Sequence, residues 1–166
     1  MDYRYTMTFD PSKFLLINVV DTCAVWNILS SRLLFQMAIQ AQCKFCITSF
    51  VQYECLVKRR RNPNSNNDIE LIGRLKKEQR RGHFSPFSCE IEDLQSISLL
   101  ENRKRLGKGE LSSIAFSNKI RQSFITDDNK AKKLAESVGV SSVQTTPHLL
   151  GWRIYSGVGP QQVSPD

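Results

Sequence analysis

The chain predicts an α/β fold built on a mainly parallel sheet. Short apolar runs of strand length alternate with amphipathic runs of helical period along nearly the whole sequence. The first of them, FLLINVV at residues 14–20, is apolar without interruption and β-branched at its end, the pattern of a strand buried on both faces. Glycine and proline punctuation separates the runs at the spacing of stacked βαβ units.

Taken in order, Asp21 and Thr22 close the first strand, and CAVWNILSSRLLFQMAIQA (23–41) reads as one helix with Val25, Ile28, Leu29 and Leu33 on its inner side. KFCITSF (44–50) reads as a second strand, with Ser49 as the cap of a helix that carries Glu54 in its first turns. NPNSNND (62–68) is a loop; IELIGRLKKEQRRG is an amphipathic helix stopped by Gly82. HFSPFSCEI holds a short strand, EDLQSISLLENRKRL a helix, and GELSSIAFSNKIRQ a further helix after the break at Gly107 and Gly109. SFITDD is a strand, NKAKKLAESVG a helix ending on Gly139, VSSVQTT a last strand and HLLGWRIYSG a last helix. Trp152 and Tyr155 on that helix are expected in the core, with self-association as their other use. A single domain over residues 1–156 is expected, with 157–166 as a flexible tail.

Composition narrows the class. At 166 residues and 40% hydrophobic content the chain is long and apolar enough for a real core. No apolar stretch approaches the roughly 20 residues that span a bilayer, and the opening MDYRYTMTFDPSKF lacks the apolar core of a signal peptide, so a cytoplasmic location is expected. Five scattered cysteines (Cys23, Cys43, Cys46, Cys55, Cys89) are expected as small core residues of a reducing compartment. Cys43 and Cys46 have the gap of a zinc half-site but no second close pair to complete it. The net charge of +7 falls in three clusters: Lys58, Arg59, Arg60 and Arg61; Arg74, Lys76, Lys77, Arg80 and Arg81; Arg103, Lys104, Arg105 and Lys108. Each cluster alone is an ordinary solvated face. Together they suit a polyanionic partner such as nucleic acid.

Four carboxylates carry the chemistry. Asp21 follows seven apolar residues, Glu54 follows KFCITSFVQY, Glu110 sits in KGELSSIAF and Asp128 closes SFITDD. In a parallel sheet, groups beyond the strand C-termini collect along one edge, where ligands bind. Acids gathered there repel one another unless cations are shared. Hard oxygen donors of this kind suit Mg²⁺ or Mn²⁺, and such ions promote in-line attack on a phosphodiester without a nucleophilic side chain. Glu54 either holds metal or orients the attacking water. Each acid also has a plainer use: Glu54 in an i,i+4 pair with Lys58, Glu110 as favourable charge at a helix start, Asp127 and Asp128 as helix caps.

VVDTCAVWNIL, ITSFVQYECL, KGELSSIAFS and FITDDNKAKKLAESVGV resemble, in order and separation, the four motifs of PIN-domain nucleases, over about residues 14 to 150. The nearest pattern is the bacterial and archaeal branch related to VapC-type toxin ribonucleases. The resemblance implies a three-layer α/β/α sandwich and a divalent-metal ribonuclease site. Carried over, Asp21, Glu54, Glu110 and Asp128 are the four motif acids, Asp127 is an extra neighbour able to assist as a metal ligand, and Thr126 supplies the hydroxyl of the fourth motif. Thr22 and Ser49 support them, and Lys58, Arg59, Arg60, Arg61 and Lys108 are placed to bind nucleic acid. The resemblance also implies an RNA substrate, an antitoxin partner and a homodimer. Residues 58–108 are longer and more basic than a compact member needs, which suggests an insert that binds RNA or a partner. Two other functions remain open: a catalytically silent binding module on the same scaffold, and a DNA-directed nuclease of the same chemistry.

Overall fold

The computed structural model describes residues 10–58, 65–101 and 105–156. Among them five strands form one sheet: β1 (Ile17–Val20), β2 (Lys44–Thr48), β3 (Ser85–Phe87), β4 (Ser123–Ile125) and β5 (Val143–Gln144). Their order is β3-β2-β1-β4-β5, and every pairing is parallel. From β1 the chain builds outward to β2 and β3 on one side, then returns to lay β4 and β5 on the other. The order therefore reverses between β1 and β4, and a crevice at the C-terminal ends of these strands is where such sheets bind ligands. Val20 lies opposite Ile125 in the register. The residues that follow, Asp21 and Thr126, therefore leave the sheet side by side.

Helices cover both faces. α1 (Thr22–Ser30), α2 (Arg32–Gln40), α3 (Ser49–Leu56), α4 (Asn66–Arg80) and α8 (Thr146–Tyr155) contribute to one apolar cluster with Val20, Ile47 and Ile125. α5 (Ile91–Glu101), α6 (Lys108–Ile120) and α7 (Asn129–Ser137) contribute to a second cluster with Phe124. Phe124 and Ile125 thus serve opposite faces, as the two-residue period of a strand requires. The result is the three-layer α/β/α sandwich with a parallel central sheet. On β1, Asn18 is fully buried; its amide donates to Leu15 O and its Oδ1 accepts from Gln144 of β5 at 2.6 Å. A satisfied polar network thus ties strands on both sides of the reversal, and a slip in register would leave its groups unpaired.

The expected single helix over 23–41 is two. Ser31 has extended backbone (φ −100°, ψ 97°), and its hydroxyl accepts from Leu34 N at 3.2 Å, so it ends α1 and caps α2. The break resets the helical phase. Leu33, expected inside, is exposed, while Leu34 and Phe35 are buried. Helix α3 likewise starts one residue earlier than expected, at Ser49 itself: Thr48 is the cap, accepting from Val51 N at 3.3 Å, and Ser49 is exposed. Gly82 and Gly139 take left-handed backbone (φ 86° and 90°) just beyond α4 and α7, the stop signals expected of them.

Residues 66–101 are built into the sandwich. β3 pairs with β2, Leu75 of α4 is fully buried, and Ile97 and Leu100 of α5 enter the second core. Part of the basic charge there is structural, since Arg74 pairs with Glu70 and donates to Leu29 O at 2.8 Å. Trp152 stacks on Phe14 with ring centroids 4.8 Å apart, whereas Tyr155 is exposed. Cys43, Cys46 and Cys55 are buried as expected; Cys23 is exposed and Cys89 half-buried. Among the described residues no helix is long and apolar enough to cross a membrane. Arg59, Arg60, Arg61, Arg103, Lys104 and the tail 157–166 lie outside the described residues.

Candidate functional site

Asp21 sits where β1 stops. Its backbone N donates to Ile125 O (3.3 Å), which holds the turn against β4, and its Oδ1 accepts from Ala24 N at 2.9 Å, capping α1. An aspartate is a good cap, so half of the carboxylate has an ordinary duty. The other half does not. The side chain is completely buried, and Oδ2 makes no hydrogen bond of good geometry, although the Thr126 hydroxyl is near enough to favour the charged carboxylate. Burial raises the Asp21 pKa to about 6; the Thr126 hydroxyl and the Ala24 N–H work against the rise, and Glu110 and Asp127 add to it.

Glu110 and Asp127 act on this group, and Asp128 and Glu54 act in turn on Glu110. Glu110, in the first turn of α6, accepts from Gly107 N through Oε2 at 2.8 Å. Its pKa is raised, first by burial and then by Asp128 and Glu54, against the Gly107 N–H and the nearby Lys130. Asp128 caps α7, its Oδ1 accepting from Lys130 N and Ala131 N, both at 2.8 Å. Its own N–H donates to the Thr126 hydroxyl at 3.1 Å, fixing Thr126 beneath the site. Glu54 reaches from α3 to two other elements: its Oε2 accepts from the Thr22 hydroxyl at 2.5 Å and its Oε1 from Gly109 N at 3.2 Å. Partial burial of its sulfur raises the Cys23 pKa first, and Asp21, Glu110, Asp128 and Asp127 add to the rise. Sequence-distant carboxylates therefore feel one another's charge near the reversal point of the sheet.

Asp127 plays a different part. Oδ1 accepts from Thr146 N (2.8 Å), and Oδ2 accepts from the Thr146 hydroxyl (2.5 Å) and from Asn27 (2.6 Å). Both oxygens join the end of β4 to α8 and α1. Ser49 has no direct bond to the acids; it lines an open pocket with Glu54, Lys58 and Lys108. Among the described residues no group of three or more His, Cys, Asp or Glu side chains is arranged to hold a metal ion. The carboxylates converge, but each is braced by local N–H or O–H donors.

Thr48, Asn27, Gly109 and Lys130 belong to the site's supports and were not singled out from the sequence. Only Gly109 carried a signal, as one of two glycines flanking the start of α6. A Cβ added to Gly109 would stand 2.8 Å from Glu54 Cδ and closer still to Oε2. Glu54 is the flexible partner and must move. Alanine also favours the helix by ~1 kcal/mol over glycine, which offsets much of the lost bonding. Gly109→Ala is therefore expected to melt within a few degrees of the parent while any activity that depends on Glu54 falls by about 100-fold, the scale of a 1 Å misplacement. Parallel melting and turnover measurements check this; equal activity would show that Glu54 can be displaced without consequence.

Neither a protein-family model nor a curated protein sequence matches this chain.

Proposed function

We propose that the chain is a divalent-metal-dependent nuclease that hydrolyses phosphodiester bonds, with RNA as its substrate. One observation supports it most: the buried, unpartnered Oδ2 of Asp21 among further carboxylates. A lone buried acceptor is destabilising, and crowding it with Glu110 and Asp127 adds repulsion that packing does not require. A hard cation with oxygen preference satisfies the orphan oxygen and offsets that repulsion, so the donor chemistry fits Mg²⁺ or Mn²⁺. Asp21, Glu110 and Asp128 would hold it only after closing in from their present places, where no three acids are arranged for a metal, while both Asp127 oxygens are bonded to Thr146 and Asn27. When bound, the ion supplies Lewis acidity toward a phosphoryl oxygen and lowers the pKa of water.

The protein's own residues do the rest. Thr22 and Gly109 N–H fix the Glu54 carboxylate, which would hold metal or orient an attacking water. Thr126 and Asp128 are locked together at the end of β4. Lys58 and Lys108, both exposed beside Glu54, attract the phosphate backbone. The choice of RNA rests on the motif resemblance.

Purified protein is expected to cleave RNA with added Mg²⁺ or Mn²⁺ and to stop on chelation. Asp128→Asn keeps a capping oxygen for α7 and is expected to lose turnover while folding normally. Cleavage at the parental rate by this variant would refute the assignment. Running a DNA strand of the same sequence alongside decides between the two polymers. Tight, salt-sensitive binding of RNA without any metal-dependent cleavage would instead favour a silent binding module.

A further inference from the structure

Beside the acids lies an apolar pocket of about 560 Å³, within the roughly 300–1,000 Å³ range of small-ligand sites. Phe50, Tyr53, Glu54, Lys58, Gly107 and Lys108 form its walls. Two of these residues also belong to the acidic site: Glu54 is bound by Thr22 and Gly109, and Gly107 N–H holds Glu110. The pocket and the carboxylates are therefore one continuous surface. Tyr53 is 54% exposed, and Phe50, which shares the pocket wall, is half-buried against the second core. Two exposed lysines stand at the rim.

An apolar, aromatic-walled pocket flanked by cations is the combination that binds single-stranded nucleic acid, with a base against the ring and the phosphates on the lysines. A duplex keeps its bases stacked on each other and cannot enter. We propose that this pocket takes one unpaired nucleobase of the substrate, stacked on Tyr53, with Lys58 and Lys108 holding the adjoining phosphates beside Glu54. The proposal rests on the nuclease assignment and adds to it a place for one base of the substrate beside Glu54. Tyr53 is a binding and positioning residue: it sets which nucleotide lies next to the bond to be cleaved.

The test uses the full chain and a short single-stranded RNA, with binding followed by fluorescence anisotropy of a labelled strand on the Asp21→Asn background, so that nothing is cleaved. An abasic nucleotide is moved along the strand one position at a time. At one position the abasic change is expected to weaken binding by about 5- to 100-fold, the scale of one base stacked on an aromatic side chain. Tyr53→Ala is expected to weaken the intact strand by a similar factor and to be indifferent to the abasic change at that position. Tyr53→Trp restores both the affinity and the position dependence. Equal abasic effects with and without the Tyr53 ring would overturn the proposal, as would duplex RNA binding as tightly as the single strand. The outcome is separable from the nuclease assignment. Coupling between Tyr53 and one base with no cleavage by the parent leaves the pocket and removes the chemistry; cleavage without coupling does the reverse.

Discussion

Replacing Asp21 by Asn is expected to stabilise the metal-free protein at neutral pH and to abolish its turnover. The two effects share one cause. Folding raises the Asp21 pKa from 3.8 to about 6, mainly through burial. A carboxyl that binds its proton more tightly when folded contributes stability that is fully present below pH 3.8 and lost as pH rises through about 6. Above that, the chain must hold a buried charge with an unpartnered oxygen. A rise of about two units corresponds to ~3 kcal/mol, an upper figure for what Asn relieves. Asn still offers an oxygen to Ala24 N, so the cap of α1 survives. Urea melts from pH 4 to pH 8 check this. The parent should weaken relative to Asp21→Asn as pH rises through about 6, and the two should converge at the acid end. Turnover should fall by more than about 100-fold, beyond the 10–100-fold range typical of residues one shell removed from a metal. A variant that is both less stable at every pH and fully active would contradict both parts.

The second large effect is stabilisation by divalent ions. A ligand that binds only the folded state contributes about 2.7 kcal/mol at one hundred times its dissociation constant, which raises the melting temperature of a chain this size by about 5–10 °C. Saturating Mg²⁺ or Mn²⁺ is expected to do this to the parent, with the larger response above pH 6, where Asp21 is charged. The response should shrink in Asp21→Asn and Asp128→Asn. NaCl at matched ionic strength serves as a control for general screening of exposed acids. Identical shifts in the parent and in both variants would show that the ions act elsewhere.

Much of the fold was legible because its strands carry their own punctuation. FLLINVV ends in Asp, SFI ends in Thr-Asp-Asp, and glycines mark the ends of α4 and α7, so element order and sheet type followed directly. The phase of α2 was not legible. Helical spacing runs smoothly through CAVWNILSSRLLF, and only the tertiary position of Ser31, with its hydroxyl on Leu34 N, shows that the helix restarts there. The same limit applies to Thr48 and Ser49: either hydroxyl is a good cap, and the chain direction at the end of β2 chooses between them. Tyr155 has the composition of a core residue, yet the last turn of α8 leaves it exposed.

The site divides in a similar way. Asp21 and Asp128 follow the ends of β1 and β4 and Glu54 lies on the helix leaving β2, so topology directs these three toward one edge; Glu110 starts α6, which follows α5 rather than a strand, and its place beside them comes from helix packing. What each oxygen does depends on side-chain neighbours that periodicity cannot supply. Asp127 and Asp128 are adjacent and chemically alike, but one is spent joining β4 to α1 and α8 while the other faces Glu110. Glu54 has a cation at helical spacing in Lys58, and its carboxylate nevertheless goes to Thr22 and Gly109, because α3 packs against α6.

The proposal of a shared cation is tested most directly by soaking crystals of the protein in Mn²⁺ and measuring anomalous scattering. The expected result is a peak within coordination distance of Asp21 Oδ2, contacted also by Glu110 or Asp128, and its loss in Asp21→Asn crystals. A fully occupied Mn²⁺ bound only at other carboxylates, with Asp21 Oδ2 still unpartnered, would contradict it.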